Sequence, residues 1–295
     1  MHGFALPDLY DQDYNNSAGS ILIGGIGSYD IMANSYGWTQ NPAFPGILST
    51  YSRHLVGWVN PIPITTDGVY PIQSAEVSSM AYKLSANFPA NEYLLIENRQ
   101  PVKWDGTWQS GGIVIYHVDE MAPLQLNRGY PGSPGWPQYH YRVAILQADG
   151  RYDIEKGVNL GDVDDLYTKG MSLGSNTTTW PNTASYQGDL TETGITITVL
   201  SDPGFIMLFR VDGLGTSLTQ SAKAANGGTI QTTAQAQVVQ KQYDYHNFTL
   251  PLPNADAASS VQNETETTAN IDDFGWVMSI LTTVAIMLGA WMLLF

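Results

Sequence analysis

Residues 111–120 read GGIVIYHVDE: two glycines, a run rich in isoleucine, valine and tyrosine, then an acidic turn. A short run of β-branched and aromatic residues bounded by turn formers reads as a strand. The same reading applies to EYLLIENR at 92–99, YRVAILQAD at 141–149, GITITVLS at 194–201 and FIMLFRV at 205–211. From Val69 to Val211 the pattern is therefore β, with turn clusters between the runs. Several short strands at this spacing predict a sandwich or a twisted sheet, and no internal repeat is present.

Composition agrees with a β-rich, turn-rich body, since the 295 residues include 17 Tyr, 8 Trp and 29 Gly. Twelve basic against 27 acidic residues leave a net charge of −15. Such a field repels nucleic acid, and no nucleic-acid partner is expected. The absence of cysteine excludes disulfides, thiolate zinc ligands and thiol catalysis.

Upstream of the β region, a short helix is predicted over about 45–56, where Leu48, Tyr51, Leu55 and Val56 recur at helical spacing and Gly57 ends it. The glycine-rich stretch at 20–38, SILIGGIGSYDIMANSYGW, reads as extended chain followed by a tight turn near Met32. Gly24, Gly25 and Gly27 are read as turn glycines, because no Lys-Ser/Thr and no helix follow them as a phosphate loop requires.

Downstream, residues 214–273 are rich in Thr, Gln, Ala and Ser and read as a solvated stalk. Residues 276–295, WVMSILTTVAIMLGAWMLLF, carry no charge over a length that suits a bilayer span. A transmembrane helix and the hydrophobic tail of a lipid-anchor signal both fit. Either places the body on the extracellular face of a membrane. Sequons for N-glycosylation stand at Asn15, Asn176, Asn247 and Asn263.

The opening, MHGFALPDLYDQD, brings imidazole and carboxylate together. Zinc accepts both, and a catalytic site needs only three protein ligands and an open position for water. Asp8 stands six positions after His2, with the small Ala5 midway and Pro7 to end any helix. His-x-x-small-x-x-(His or Asp) is the second half of the extended zinc-peptidase pattern that begins His-Glu-x-x-His.

HGFALPDLYD resembles the segment after the second zinc histidine in the M6 peptidases, the immune inhibitor A family. SYDIMANSYGW (28–38) resembles that family's Met-turn, and FPGILSTYSRHLVGWVNP (44–61) the helix and Leu-Gly-Trp beyond it. EYLLIENRQ, GGIVIYHVDE, QADG and GVNLGDVDDLY (157–167) are similar to family blocks in the family's order.

The resemblance implies an α+β architecture. The C-terminal part of a zincin- or metzincin-like catalytic domain (1–65) would precede a β-rich, sandwich-like region (66–213). It implies His2 and Asp8 as zinc ligands, with Asp11 the second candidate for the carboxylate, and Met32 as the floor beneath the metal. It implies a zinc-dependent endopeptidase acting on protein or peptide substrates. The first histidine and the general-base glutamate would lie before His2, so the sequence is expected to begin at an internal methionine, which would also account for the missing signal peptide. As written, the chain is expected to be inactive. A non-catalytic adhesion module derived from such a protease is the alternative. Calcium, which takes several oxygen ligands, has candidates in Asp11 and Asp13 and in Asp162 and Asp165, although solvated turns account for both groups. His54 reads as packed or capping, and His117 as a structural hydrogen-bonding group rather than a ligand.

Overall fold

The computed structural model describes residues 5–12, 24–126, 129–188 and 190–215. His2, Asp13, Asn15, Asn247, Asn263, the stalk beyond residue 215 and the apolar run at 276–295 lie outside the described residues. The described residues all belong to one compact unit within Met1–Ser221. Among the described residues no helix is long and apolar enough to cross a membrane.

The unit is β-rich with little helix. In chain order the strands are β1 (Ile62–Pro63), β2 (Gly68–Gln73), β3 (Tyr82–Leu84), β4 (Glu92–Arg99), β5 (Gly112–Asp119), β6 (Val143–Ile145), β7 (Ser172–Leu173), β8 (Thr196–Val199) and β9 (Ile206–Asp212). They make two sheets, a five-stranded one ordered β1-β3-β4-β5-β6 and a four-stranded one ordered β2-β9-β8-β7. Only the β1–β3 pairing is parallel.

Strands β4 and β5 pair along their full length, with Leu94 opposite His117 and Ile96 opposite Ile115. Alternate residues of a strand face opposite sides of its sheet. Leu94, Ile96, Ile113 and Ile115 pack against Ile72, Ile197, Met207 and Phe209 of the four-stranded sheet. Tyr93, Leu95, Val114, Tyr116 and Val118 face the other way, onto Leu6, Leu9, Ile26, Met32, Leu48 and Tyr51. The central strands are thus covered on both sides. Both are buried at every residue, which is why they read as near-continuous apolar runs instead of an alternation.

The helix is shorter than its periodicity suggests. Helix α1 covers Thr50–Leu55 only. Residues 45–49 are not helical, because they are drawn into tertiary bonds: Ile47 N donates to Asp105 Oδ1 at 3.2 Å and Ser49 N to Asp30 Oδ2 at 2.9 Å. Ser49 then caps the helix by accepting from Ser52 N. At the other end Gly57 takes φ +75°, and the pair Gly57 N→His54 O and Trp58 N→Arg53 O closes a Schellman motif.

The glycine reading holds, and the structure supplies a stronger reason for Gly25 than the turn alone. Its φ is +66°, and a Cβ there would stand 1.9 Å from the carbonyl oxygen of Leu9. The backbones must touch at this point, because Ile26 N donates to Leu9 O at 3.1 Å.

Two of the edge strands, β6 and β2, have backbone groups covered by side chains. Gln125 covers β6 with a bond from Nε2 to Val143 O at 2.9 Å and one from Val143 N to Oε1 at 3.2 Å. On β2, Pro71 has no N–H to offer, while Tyr82 Oη donates to Pro71 O and Asn98 Nδ2 to Ile72 O.

Candidate functional site

The two segments that carry the metal reading meet. Leu9 N donates to Met32 O at 3.0 Å, which lays the chain after Asp8 directly along the turn at Met32. The Met32 side chain is buried with Leu6 and Leu9. Asp8 is half-buried and accepts from Tyr10 Oη at 2.9 Å. Such a bond fixes the orientation of a carboxylate, the role an outer partner plays for a metal ligand. Asp11 is also half-buried and next to Gln12, whose N–H donates to Gln125 O.

The turn is held from behind by Asp30, which is fully buried. Its Oδ1 accepts from Met32 N at 2.7 Å, and its Oδ2 accepts from Ser49 N and from Ser49 Oγ at 2.5 Å. Burial pushes the Asp30 carboxyl above its ordinary range, against these hydrogen bonds.

Next to Asp30 lies a charge network that the sequence reading did not foresee. Arg53 Nη2 meets Glu97 Oε2 at 2.7 Å and Arg99 Nη1 meets Glu97 Oε1 at 3.1 Å. Arg99 also grips Asp105, with Nε at 2.8 Å and Nη2 at 2.5 Å. Thr50 Oγ1 and Tyr116 Oη both donate to Glu97. Arg99 and Glu97 are completely buried. Burial alone would raise Glu97, but the two guanidinium groups hold it below the usual carboxylate range. The visible clue is Glu97-x-Arg99, two charges on one face of a strand buried at every residue. Its partners Arg53 and Asp105 come from separate elements and carry no signal of their own.

Each of the three histidines among the described residues has a ring nitrogen bonded within the fold. His54 Nδ1 contacts Val59 O at 3.1 Å. His117 Nε2 contacts Glu92 Oε1 at 2.7 Å, across the β4–β5 pair rather than toward its chain neighbours. His140 Nε2 contacts Asp119 Oδ2 at 3.1 Å. Glu92 also accepts from Ser185 Oγ at 2.6 Å, Tyr186 N at 2.6 Å and Gln187 N at 3.4 Å, so one carboxylate ties the 182–187 loop to the sheet.

The calcium candidates are sorted differently from the sequence expectation. Asp149, Asp162 and Asp164 bring carboxylate oxygens within 4.8 Å of one another. Arg151 lies among them, with Nε 2.5 Å from Asp149 and Nη2 3.1 Å from Asp164. Asp165 is not in this group. It turns inward, accepts from Tyr29 Oη and Asp162 N, and forms a capping box with Asp162 over the short 3-10 turn Val163–Asp165. Asn176 is exposed, and Thr178 Oγ1 donates to its Oδ1 at 2.8 Å.

Beside this corner, burial pushes the Glu155 carboxyl up to about 8. Its partner is Gln147 Nε2, at 2.5 Å. An acid whose folded value exceeds its unfolded one holds its proton more tightly in the native state. Stability therefore falls as pH rises from the ordinary glutamate range towards 8, by up to about 1.4 kcal/mol per pH unit. Glu155→Gln keeps an acceptor for Gln147 and removes the titration. Urea unfolding at pH values of about 5 and 8 should show the variant losing much less stability than the parent over that interval.

Compared with known proteins, the chain matches no family model, no curated protein and no solved structure.

Proposed function

We propose that the chain belongs to a zinc-dependent endopeptidase of the M6 type, held on the extracellular face of a membrane by the apolar run at 276–295. The observation that supports this reading is the contact of Leu9 with Met32. Two blocks that resemble the family's third-ligand segment and its Met-turn, separated by more than 20 residues, lie against each other. The donor set also suits zinc: Asp8 is an oriented carboxylate and His2 an imidazole. Met32 is buried core and packs as a floor. The zincin-like character of the 1–65 segment belongs to this proposal, as does an extracellular protein or peptide substrate.

Bound zinc would supply a Lewis acid and a water of lowered pKa for peptide hydrolysis. Within the chain itself, Tyr10 holds the Asp8 carboxylate, while Asp30 fixes the backbone of the turn at Met32. The reaction also needs a general base to take a proton from that water and pass it to the leaving amine. No glutamate precedes His2 in these 295 residues. Recombinant 1–295 is therefore expected to bind zinc weakly and to leave peptides uncut, whereas protein purified from its natural source should carry about one zinc per chain and show chelator-sensitive proteolysis. Metal analysis and a casein or quenched-peptide assay on both preparations decide the matter. Zinc-free, inactive natural protein would favour the adhesion-module alternative, and tight stoichiometric zinc on recombinant 1–295 would overturn the ligand assignment.

A further inference from the structure

His117 is fully buried near the end of β5, on the same side of the strand as Ile113 and Ile115. Loops, not strands, cover it. The Tyr186 ring stacks on the imidazole with centroids 3.9 Å apart, and Trp136 packs edge-on against Tyr186 at 5.4 Å. Trp180 meets Trp136 at 4.6 Å, and the His140 ring stands 6.0 Å from that of His117.

The hydrogen bonds place the protons of this ring. Glu92 accepts from Ser185 Oγ, Tyr186 N and Gln187 N, and an ionised carboxylate only accepts. The hydrogen in its 2.7 Å contact with His117 Nε2 therefore sits on Nε2. In the neutral ring Nδ1 is then bare, and that atom is buried with no hydrogen-bond partner among the described residues. Neutral imidazole suits the site. Imidazolium would put a second N–H where nothing accepts it, and a buried donor left unpaired is costly. The charged and titratable groups that face His117 are Glu92 on β4, Asp119 on β5, His140 from the 129–141 segment and Tyr186 from the 182–187 loop. Burial is the largest influence and lowers His117 below the ordinary histidine value; Glu92 and Asp119 pull the other way, while His140 adds to the effect of burial.

We propose that His117 is a proton-operated latch: in weak acid Nδ1 takes up a proton, and the 182–187 loop lifts to let water reach the new N–H, uncovering Tyr186 and Trp136. The loop gives way before the sheet does. Strands β4 and β5 are paired along their whole length, whereas the loop is tied to them through two side chains, Glu92 and Gln187. A histidine lowered by folding contributes stability above its unfolded value of about 6.5 and loses it as pH falls from there towards the folded value. Glu155, whose charge acts on Tyr186, titrates up to about 8 with the opposite sign, so the latch is read as a difference between parent and variant. The inference uses no residue before Glu92 and does not depend on the peptidase reading.

The test is amide hydrogen exchange on the full-length chain at pH values of about 7.5 and 5.5, each rate divided by the unprotected rate at that pH. His117→Gln keeps a donor for Glu92 and does not titrate. Between the two pH values the protection of Tyr186 and Gln187 in the parent should fall, relative to the variant, by up to about tenfold, the effect of one proton over the unit below about 6.5. Protection in β4 and β5 should hold. Deuterium exchange at the imidazole C2 position gives the ionisation midpoint of His117 in the parent without any variant, and it should lie below about 6.5. An unchanged ratio of parent to variant protection, or a His117 midpoint above that value, would each overturn the latch.

Discussion

Glu97→Ala is expected to cost about 3–5 kcal/mol, the range found when one partner of a buried ion pair is deleted. Glu97 is the shared acceptor of Arg53, Arg99, Thr50 and Tyr116. Without it Arg53 loses its carboxylate partner, while Arg99 keeps Asp105 and Glu76. The Thr50 and Tyr116 hydroxyls also lose their acceptor inside the protein. Glu97→Gln should cost less, since it keeps one acceptor oxygen and so serves the Thr50 or the Tyr116 hydroxyl, though not both in their present places. For a unit of this size the loss in the alanine variant corresponds to roughly 10 °C in the unfolding midpoint. Differential scanning calorimetry of parent and variants checks it, and a drop of only a degree or two would show that the network is not as dry as its burial indicates.

Glu92→Ala should be about as damaging but in a different place. Four donors converge on this carboxylate, namely His117 Nε2, Ser185 Oγ, Tyr186 N and Gln187 N. Each buried donor left unpaired costs about 1–3 kcal/mol. The 182–187 loop would be loosened, with Gln187 Nε2 still donating to Asp119 Oδ1 and Ala90 O, so hydrogen exchange at Tyr186 and Gln187 should accelerate more than exchange in β4 and β5. The effect also has a pH signature. Burial alone would raise Glu92, but hydrogen bonds from His117 and Ser185 and the charge on His117 hold it below the usual range. A depressed carboxyl contributes stability above its unfolded value and loses it as pH falls through its folded value. Parent and Glu92→Ala should therefore draw together on acidification below the carboxylate range. A constant gap down to the acid transition would mean that the loop is held by packing alone.

The sequence disclosed those features that depend on near neighbours in the chain. Runs such as GGIVIYHVDE and FIMLFRV announced strands, and Gly57 announced a helix end. That β4 and β5 are covered on both faces could be suspected from their unbroken apolar character but not assigned, because the covering layers come from residues 5–56 and from β2 and β9. The helix was read too long for the same reason. Residues 45–49 have helical spacing, yet Asp30 and Asp105, distant in sequence, compete for their N–H groups and win. The candidate site shows the same division. Asp8, Met32 and the glycines were found by local pattern and family likeness. Glu92, Glu97 and Arg99 were quoted as parts of strands, and their partners became visible only once the strands were paired. The acidic trio regrouped because Asp165 turns inward to Tyr29 while Asp149 arrives from another segment.

The blunted edges at β6 and β2 have a consequence for the molecule in company. An unpaired strand margin is a template on which another chain can add itself, copy after copy. Here Gln125 satisfies the rim at β6, and Pro71, Tyr82 and Asn98 blunt β2. At high concentration a β-rich body meets its own copies constantly. With β6 and β2 blunted, the edges left are β1 and β7, each only two residues long, so little strand margin remains on which a second copy could build.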